Sequence, residues 1–598
     1  MRNTFRLWLT LWLGLFTVTG CTIDAVRDGE HWLAETPATG LARAEALKAA
    51  GDSARAAEHY LRLAANAQPP ARQQLQLSAL EAWLKAGNTL AAQRIVATID
   101  HSLLTVAQRE WLLLLQAELA LQDGQGINAL AHLQQVNANS LAAPMQELYL
   151  ARLAAASRLA GNPAEAVLAL DRLAALPLSR ERQLEVQVAL LATLEGVPRQ
   201  TLATWMQDRR QRRLHGWAEL AQLVTPATRL DTTLRARFSR WSEQNRSLNV
   251  LPELPEAYFA ARDGRYRPAM PVTVLLPTSG AYREAAAAVR AGLEAADAAN
   301  RSGERPQLNF QAVGNNAATS YQNAVRDGAQ LVIGPLRKAA VDRLATQATL
   351  SVPVLALNRP SVDRPTPEQL GLYGLAPEEE TAQIAMQAWR AGLRSALVLY
   401  PQGDWGRRIA ESFINQWRAL GGQVAHQEIY GDVRTGYAAS TASLMASGRG
   451  ELVFLVATRS VAGELYPILD NANVRRLPVI ATSHVYDGGD NPARDSALTG
   501  LYFTDIPWMI EPQTTGIAAS EAATNYRSGS LARLFAMGVD AYRLAPRFVT
   551  LRKHPELTMH GLTGGLNVDS RGQVHRRLLL ARFTERGVAR VTAIQPAS

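Results

Sequence analysis

The stretch Pro271-Val272-Thr273-Val274-Leu275-Leu276-Pro277-Thr278-Ser279-Gly280 marks a change of character in the chain. Val272–Leu276 is a short β-prone run closed by proline, small hydroxyl residues and glycine. Downstream of it, such runs alternate with amphipathic helical patterns. The spacing predicts helix over 282–300, strand over 308–312, helix over 320–326, strand over 331–333, helix over 336–348 and strand over 354–357. The cycle restarts with helix 378–391, strand 396–399, helix 408–420, strand 424–430, helix 436–445, strand 452–456, helix 460–469 and strand 479–481. This alternation builds parallel sheets from right-handed βαβ units. Two successive sets predict a two-lobed α/β body.

Upstream, Asn249 to Pro271 carries Leu251-Pro252-Glu253-Leu254-Pro255 and Asp263-Gly264-Arg265, and reads as a linker. Before it, residues 38–245 are rich in Ala, Leu, Gln and Arg, which favour helix. A turn recurs there at Gly51, Gly87, Gly124, Gly161 and, less perfectly, Gly196, with spacings of 36, 37, 37 and 35 residues. Glycine ends helices in the left-handed conformation, and Asp52, Asn88 and Asn162 are natural caps for the helix that follows. Pro163 suits a first helical turn. Five residues after the glycines stand Ala56, Ala92, Ala129, Ala166 and Thr201; nine after stand Tyr60, Val96, Leu133, Leu170 and Trp205. Small residues let paired helices approach, and large apolar ones cover the same face. The expectation is an all-α helical-repeat solenoid resembling tetratricopeptide repeats, with an irregular helical bundle as the alternative.

The N-terminus begins with Arg2 and Arg6, continues with an apolar run over 7–18, and ends Val18-Thr19-Gly20-Cys21. That is a secretory signal peptide, with a run shorter than the roughly 20 residues a bilayer span needs. Val18 to Cys21 resembles the lipobox of bacterial lipoproteins, in which the cysteine is lipidated and becomes the new N-terminus. Cys21 is the only cysteine in 598 residues. An ordinary signal peptide with a chance cysteine is the alternative. In enteric lipoproteins Asp after the cysteine marks inner-membrane retention, so Thr22 points to outer-membrane sorting, with the chain facing the periplasm. The expected division is leader 1–20, tether 21–37, solenoid 38–248, linker 249–270 and two-lobed body 271–598.

The chain carries 62 Lys and Arg against 53 Asp and Glu, a formal net charge of +9. Export disfavours a nucleic-acid role for this basic balance. Arg209-Arg210-Gln211-Arg212-Arg213 reads as a solvated helix face. Phosphate-loop, His-Glu-x-x-His and Gly-x-Ser-x-Gly motifs are missing from the sequence, and one cysteine with ten scattered histidines gives no zinc spacing. No cofactor is expected, and no enzyme. Ser483-His484 reads as a strand-capping loop rather than a nucleophile–base pair.

The Pro271–Gly280 stretch resembles the first strand and loop of type I periplasmic-binding proteins. So do Asp327-Gly328-Ala329-Gln330-Leu331-Val332-Ile333-Gly334-Pro335-Leu336 and Val352-Pro353-Val354-Leu355-Ala356-Leu357-Asn358. Leu375–Glu380, Gly500–Trp508, Met537–Leu544 and Leu562–Asp569 are similar to segments of the LpoA family. These are outer-membrane lipoproteins that activate a class A penicillin-binding protein. The resemblance implies a non-catalytic partner of that synthase that stimulates peptidoglycan synthesis, with peptidoglycan itself as a further candidate partner. Ligands of parallel α/β sheets bind beyond the strand ends, so Ser279, Arg337, Asn358, Asp404, Trp405 and Trp508 are the candidate cleft or partner contacts. Where amino-acid-binding relatives place hydroxyl residues, this chain has Arg337-Lys338-Ala339-Ala340. A solute-capturing lipoprotein is the alternative function.

Overall fold

The computed structural model describes residues 37–596, apart from 226–227, 301–303, 314–315, 348, 363–365, 432, 490, 513–516, 518–519 and 570. The leader, Cys21 and the tether lie outside the described residues. Thirteen helices precede the first strand: α1 (Pro37–Ala49), α2 (Ser53–Asn66), α3 (Ala71–Lys85), α4 (Thr89–Thr98), α5 (Val106–Gln122), α6 (Gly126–Leu133), α7 (Ala143–Leu159), α8 (Pro163–Ala174), α9 (Arg180–Leu194), α10 (Arg199–Gln207), α11 (Arg212–Leu223), α12 (Thr232–Gln244) and α13 (Leu254–Arg262).

The glycine turns close the helical pairs as their spacing predicts. Gly51, Gly87, Gly124 and Gly161 take φ of 84°, 71°, 74° and 76°. The next residue then donates its N–H five residues back, Asp52 to Leu47 O at 2.9 Å and Asn162 to Ser157 O at 2.7 Å, which satisfies carbonyls the helix end leaves open. Asp52 and Asn88 side chains accept from Arg55 N and Ala91 N, capping the second helix of each pair. Asn162 makes no such bond; Pro163 starts that helix instead. Ala56, Ala92, Ala129 and Ala166 are all fully buried, where a larger side chain would force the paired helices apart. Gly196, by contrast, is not left-handed.

The expected linker is not loose chain. Its centre is α13, whose Leu254, Pro255, Tyr258, Phe259 and Ala261 are buried. The reason is apolar content: a segment this hydrophobic lowers its free energy by packing. Tyr258 lies between the halves, its hydroxyl donating to Glu195, and Tyr266 donates to Tyr542 O at 2.7 Å. One hydrophobic core runs from Leu150 through α13 into both lobes, whereas α1–α5 gather round a separate cluster that includes Tyr60, Leu77 and Leu112.

The α/β part opens with β1 (Pro271–Leu276), α14 (Arg283–Ala299), β2 (Gln307–Ala312), α15 (Ala317–Arg326), β3 (Leu331–Ile333), α16 (Lys338–Ala345), β4 (Val354–Ala356) and β5 (Leu370–Leu372). Its sheet has the order β2-β1-β3-β4-β5, all parallel. The second lobe follows with α17 (Pro377–Arg390), β6 (Ser395–Pro401), α18 (Asp404–Ala419), β7 (Gln423–Tyr430), α19 (Tyr437–Ala446), β8 (Leu452–Leu455), α20 (Arg459–Ala472), β9 (Val479–Ala481), α21 (Pro492–Asp495) and β10 (Tyr502–Asp505). Its sheet repeats that order as β7-β6-β8-β9-β10 and then adds β14 and β15 antiparallel. Each lobe is thus a doubly wound sheet with a switch point beside its first strand.

Short helices α22 (Pro507–Ile510) and α23 (Glu521–Asn525) lead to α24 (Ala532–Leu544) and α25 (Phe548–Lys553). With the small sheet β11 (Met559–His560), β12 (Gly565–Val568) and β13 (Val574–Arg577), α24 and α25 return to the first lobe; β14 (Leu579–Thr584) and β15 (Gly587–Val591) return to the second. The chain therefore crosses between lobes after β5, after β10 and between β13 and β14. Helix α24 packs on α14 at unusually short range. A Cβ at Gly292 would lie 2.1 Å from Phe535 O, and one at Gly538 2.1 Å from Val289 O.

Candidate functional site

The two lobes direct their strand ends towards the crossing segments, and the polar side chains there bond mainly to one another. Helix α17 begins at the first crossing with Pro377, Glu378, Glu379 and Glu380, a proline and carboxylates that suit a helix N-terminus. Glu379 and Glu380 turn inward. Glu379 takes Arg359 from the loop after β4 and Arg576 Nε, at 2.8 Å, from β13. Arg359 also donates to Val574 O at 3.1 Å. The side chains of Arg576 and Glu379 are 2% and 9% exposed, so each needs the other to stay charged out of water. Gln383, one turn on, donates to Arg576 O at 2.7 Å and accepts from Leu578 N at 2.8 Å, clipping the third crossing to α17.

Glu380 is a second buried anchor. It accepts from Ser483 N at 2.8 Å and from Ser483 Oγ at 2.9 Å, just beyond β9. Burial pushes its pKa up, and those bonds and the Arg576 and Arg533 charges oppose the rise. Arg533, at the start of α24, reaches Asp505 at the end of β10 with Nε 2.9 Å and Nη2 2.5 Å away. It also donates to Ser483 O and Tyr486 O, at 3.0 and 2.8 Å. Asp505 is fully buried, and its carboxyl too is pushed up by burial against the pull of Arg533. The result is a polar seam, Arg359–Glu379–Arg576 and Glu380–Ser483–Arg533–Asp505, that ties all three crossings together.

The residues read from the sequence fall unevenly around this seam. Ser279 is exposed after β1 and caps no helix with its side chain. Arg337 stands half-buried immediately before α16. Asn358 is a brace: its amide donates to Leu336 O at 3.0 Å and its oxygen accepts from Arg359 N at 2.9 Å. Asp404 is exposed and pairs with Arg407 within the first turn of α18. Trp405 is half-buried, edge-on to His484 with ring centroids 5.3 Å apart. Trp508 is corrected by the structure: it is fully buried, donates from its indole to Tyr526 O at 2.9 Å and tilts against Phe535. The Asp505–Trp508 stretch is core rather than a lobe-end loop, because Asp505 and Trp508 pack against Arg533 and Phe535 of α24.

The Ser483 hydroxyl is committed to Glu380, and His484 Nδ1 lies 3.0 Å from Thr482 Oγ1, so the two form no nucleophile–base pair. Burial lowers the His484 pKa. No group of three His, Cys, Asp or Glu among the described residues could hold a metal ion. No described helix is long and apolar enough to cross a membrane. Sequence reasoning placed Arg359 among the strand-end positions without its partners, and missed Glu379, Arg533 and Arg576. The one signal it held was the Glu378-Glu379-Glu380 run, which looks like an ordinary helix start.

An all-α repeat arm joined to two doubly wound lobes that the chain crosses between three times defines a class: a helical solenoid carrying a body of the type I periplasmic-binding-protein kind. Comparison with known proteins takes this further. The family model described as "LppC putative lipoprotein" matches residues 51–586, and the chain belongs to that family, the LpoA lipoproteins. The penicillin-binding protein activator LpoA of Serratia proteamaculans is 31% identical over 312 residues, covering 46% of this chain and 46% of the relative. The chain thus matches about half the length of that relative. LpoA of Yersinia pseudotuberculosis is 27% identical over 470 residues, covering 64% of this chain and 71% of the relative. A solved structure of Haemophilus influenzae LpoA, 22% identical, covers 90% of this chain and 97% of its own with a TM-score of 0.50, which supports the fold.

Proposed function

We propose that this chain is an outer-membrane lipoprotein that binds and activates a class A penicillin-binding protein, stimulating peptidoglycan synthesis, and does no chemistry of its own. The observation that carries this reading is the family match over 51–586, which spans repeat arm and lobes alike, with relatives named as activators. The polar seam supports it, because strand-end groups that a solute-binding protein would turn towards its ligand are here spent on each other. Cys21 would carry the lipid, several acyl chains being needed for stable anchoring. Segment 21–37 would tether, 38–248 would give reach, and 271–598 would meet the synthase through strand-end loops around Ser279, Arg337, Asn358, Asp404 and Trp405. Activation requires tighter binding to the synthase's active conformation than to its resting one.

The test is a synthesis assay with a purified class A penicillin-binding protein and lipid-linked precursor, with and without soluble 22–598. Faster glycan polymerisation or cross-linking is the expected result; an unchanged rate at saturating protein would overturn the proposal. Fatty-acid labelling in cells tests the anchor. Cys21→Ala should abolish the label, and a label that survives ends the lipid reading.

A further inference from the structure

The arginine-rich run 209–213 does not lie along a solvated helix face. Arg209 to Gln211 form the turn between α10 and α11, and Asp208 shapes it by accepting from Arg210 N at 3.0 Å and Gln211 Nε2 at 2.9 Å. The turn overhangs α8 and encloses an open cleft of about 600 Å³. Clefts of this size hold ligands or short peptide segments.

The lining separates into charges that are used and charges that are not. Arg213 grips Asp171 with three contacts of 2.7 to 3.0 Å and donates to Ser247 O. Asp171 also accepts from Trp217 Nε1 at 2.7 Å, so that carboxylate is spent holding the wall. Arg172, Arg210 and Arg212 are exposed on the rim, and their side chains make no hydrogen bond or ion pair among the described residues. One carboxylate, Glu165, also lines the rim. The floor is apolar: Leu153 and Leu168 are half-buried, and Ala169 and Leu214 are buried. Three unspent guanidiniums over an apolar floor match a chain that alternates carboxylates with aliphatic side chains, since guanidinium is suited to carboxylate and the floor to methylenes.

We propose that this cleft binds an acidic peptide segment, its carboxylates on Arg172, Arg210 and Arg212 and its aliphatic side chains on Leu153, Leu168 and Leu214. This goes beyond the activator reading and stands or falls separately from it, because the cleft belongs to the repeat arm. The probe is a fluorescein-labelled, end-capped Glu-Leu-Glu-Glu-Leu-Glu peptide, with its Gln-for-Glu counterpart, titrated against soluble 22–598 by fluorescence anisotropy. The acidic peptide should bind, and the Gln peptide at least about tenfold more weakly, three exposed ion pairs being lost. R172A/R210A/R212A should weaken binding by a similar factor. R326A/R343A/R418A, which removes the same charge from exposed positions in the lobes, should change it less than about twofold. Bound peptide should slow hydrogen exchange over 208–214, a readout independent of any variant's folding. Equal loss in both triple variants, no preference for Glu, or unchanged exchange would overturn the proposal. So would a cleft that binds soluble cell-wall fragments and ignores the peptide.

Discussion

The outer repeats and the two lobes bury their side chains by different routes. In α1–α6 the helices pack mainly on the next one or two along the chain, and a left-handed glycine sets each pair; one ion pair, Asp123 with Arg571 at 3.8 Å, reaches the α/β part. In the lobes the decisive contacts join residues far apart in sequence: Glu379 to Arg576 across 197 positions, Glu380 to Ser483 across 103. A repeat array can lose or gain a unit and keep its neighbours' geometry, since stability is close to a sum over units and their interfaces. The lobes cannot, because every crossing depends on the seam. The contrast separates the outer repeats, with a core of their own, from the two lobes and the inner helices that share a core with them.

Breaking the seam should have the largest effect. Glu379→Gln leaves Arg576 buried beside a neutral amide and Arg359 without its carboxylate. Removing one partner of a buried ion pair costs about 3–5 kcal/mol. Urea denaturation followed by tryptophan fluorescence should show that loss; a change below about 1 kcal/mol would mean that the seam does not hold the lobes.

In the repeats the equivalent substitution should be mild and local. Gly51 has φ of 84° and no atom within 4 Å of a built Cβ, so Gly51→Ala carries backbone strain without a clash. The expected cost is about 1–2 kcal/mol. Hydrogen exchange should rise in α1 and α2 and stay unchanged in the lobes. Faster exchange in the lobes would contradict the nearest-neighbour picture.

The junction sharpens the comparison through pH. His554 follows α25, and its pKa is raised chiefly by the hydrogen bond to Glu556 at 3.1 Å, with Glu185 of α9 adding attraction from the repeat side. A raised folded pKa favours the protonated ring. Its contribution is therefore complete below the unfolded value of 6.5 and disappears as pH climbs through the folded one. His554→Gln should destabilise most below pH 6.5 and progressively less as the pH rises through the folded pKa. Thermal melts across that range measure it, and a pH-independent difference would remove the linkage.

How much of this the sequence carried follows from the same contrast. The glycine spacing and the buried alanines were legible because their causes lie within one turn of the residues concerned. Eight strands of the lobes, β1–β4 and β6–β9, were legible too, because a parallel strand buried on both faces, as most of these are, is a bare apolar run, whereas β5, β10, β14 and β15 went unread. What was hidden depended on distance along the chain. Trp508 could be read either as a partner contact or as core, because nothing near it in sequence reveals that α24 packs over it. Glu379 and Glu380 stood in the sequence only as the start of a helix and part of a family-like segment, because their partners come from β13 and the loop beyond β9. The α13 segment looked like a linker because two prolines and a glycine mark a break, while Tyr258 and Phe259 between them belong to the shared core.

The most direct test of the division of labour compares 22–598 with 106–598 in the synthesis assay, after circular dichroism has shown that the shortened chain is folded. Among the described residues, 22–105 carries the α-helices α1–α4, whose core is separate from the one that runs into the lobes. With synthase and activator both free in solution, reach is irrelevant, and the account predicts equal maximal stimulation by the two chains. A folded 106–598 that binds the synthase but fails to stimulate it would contradict the assignment of activation to the two-lobed body.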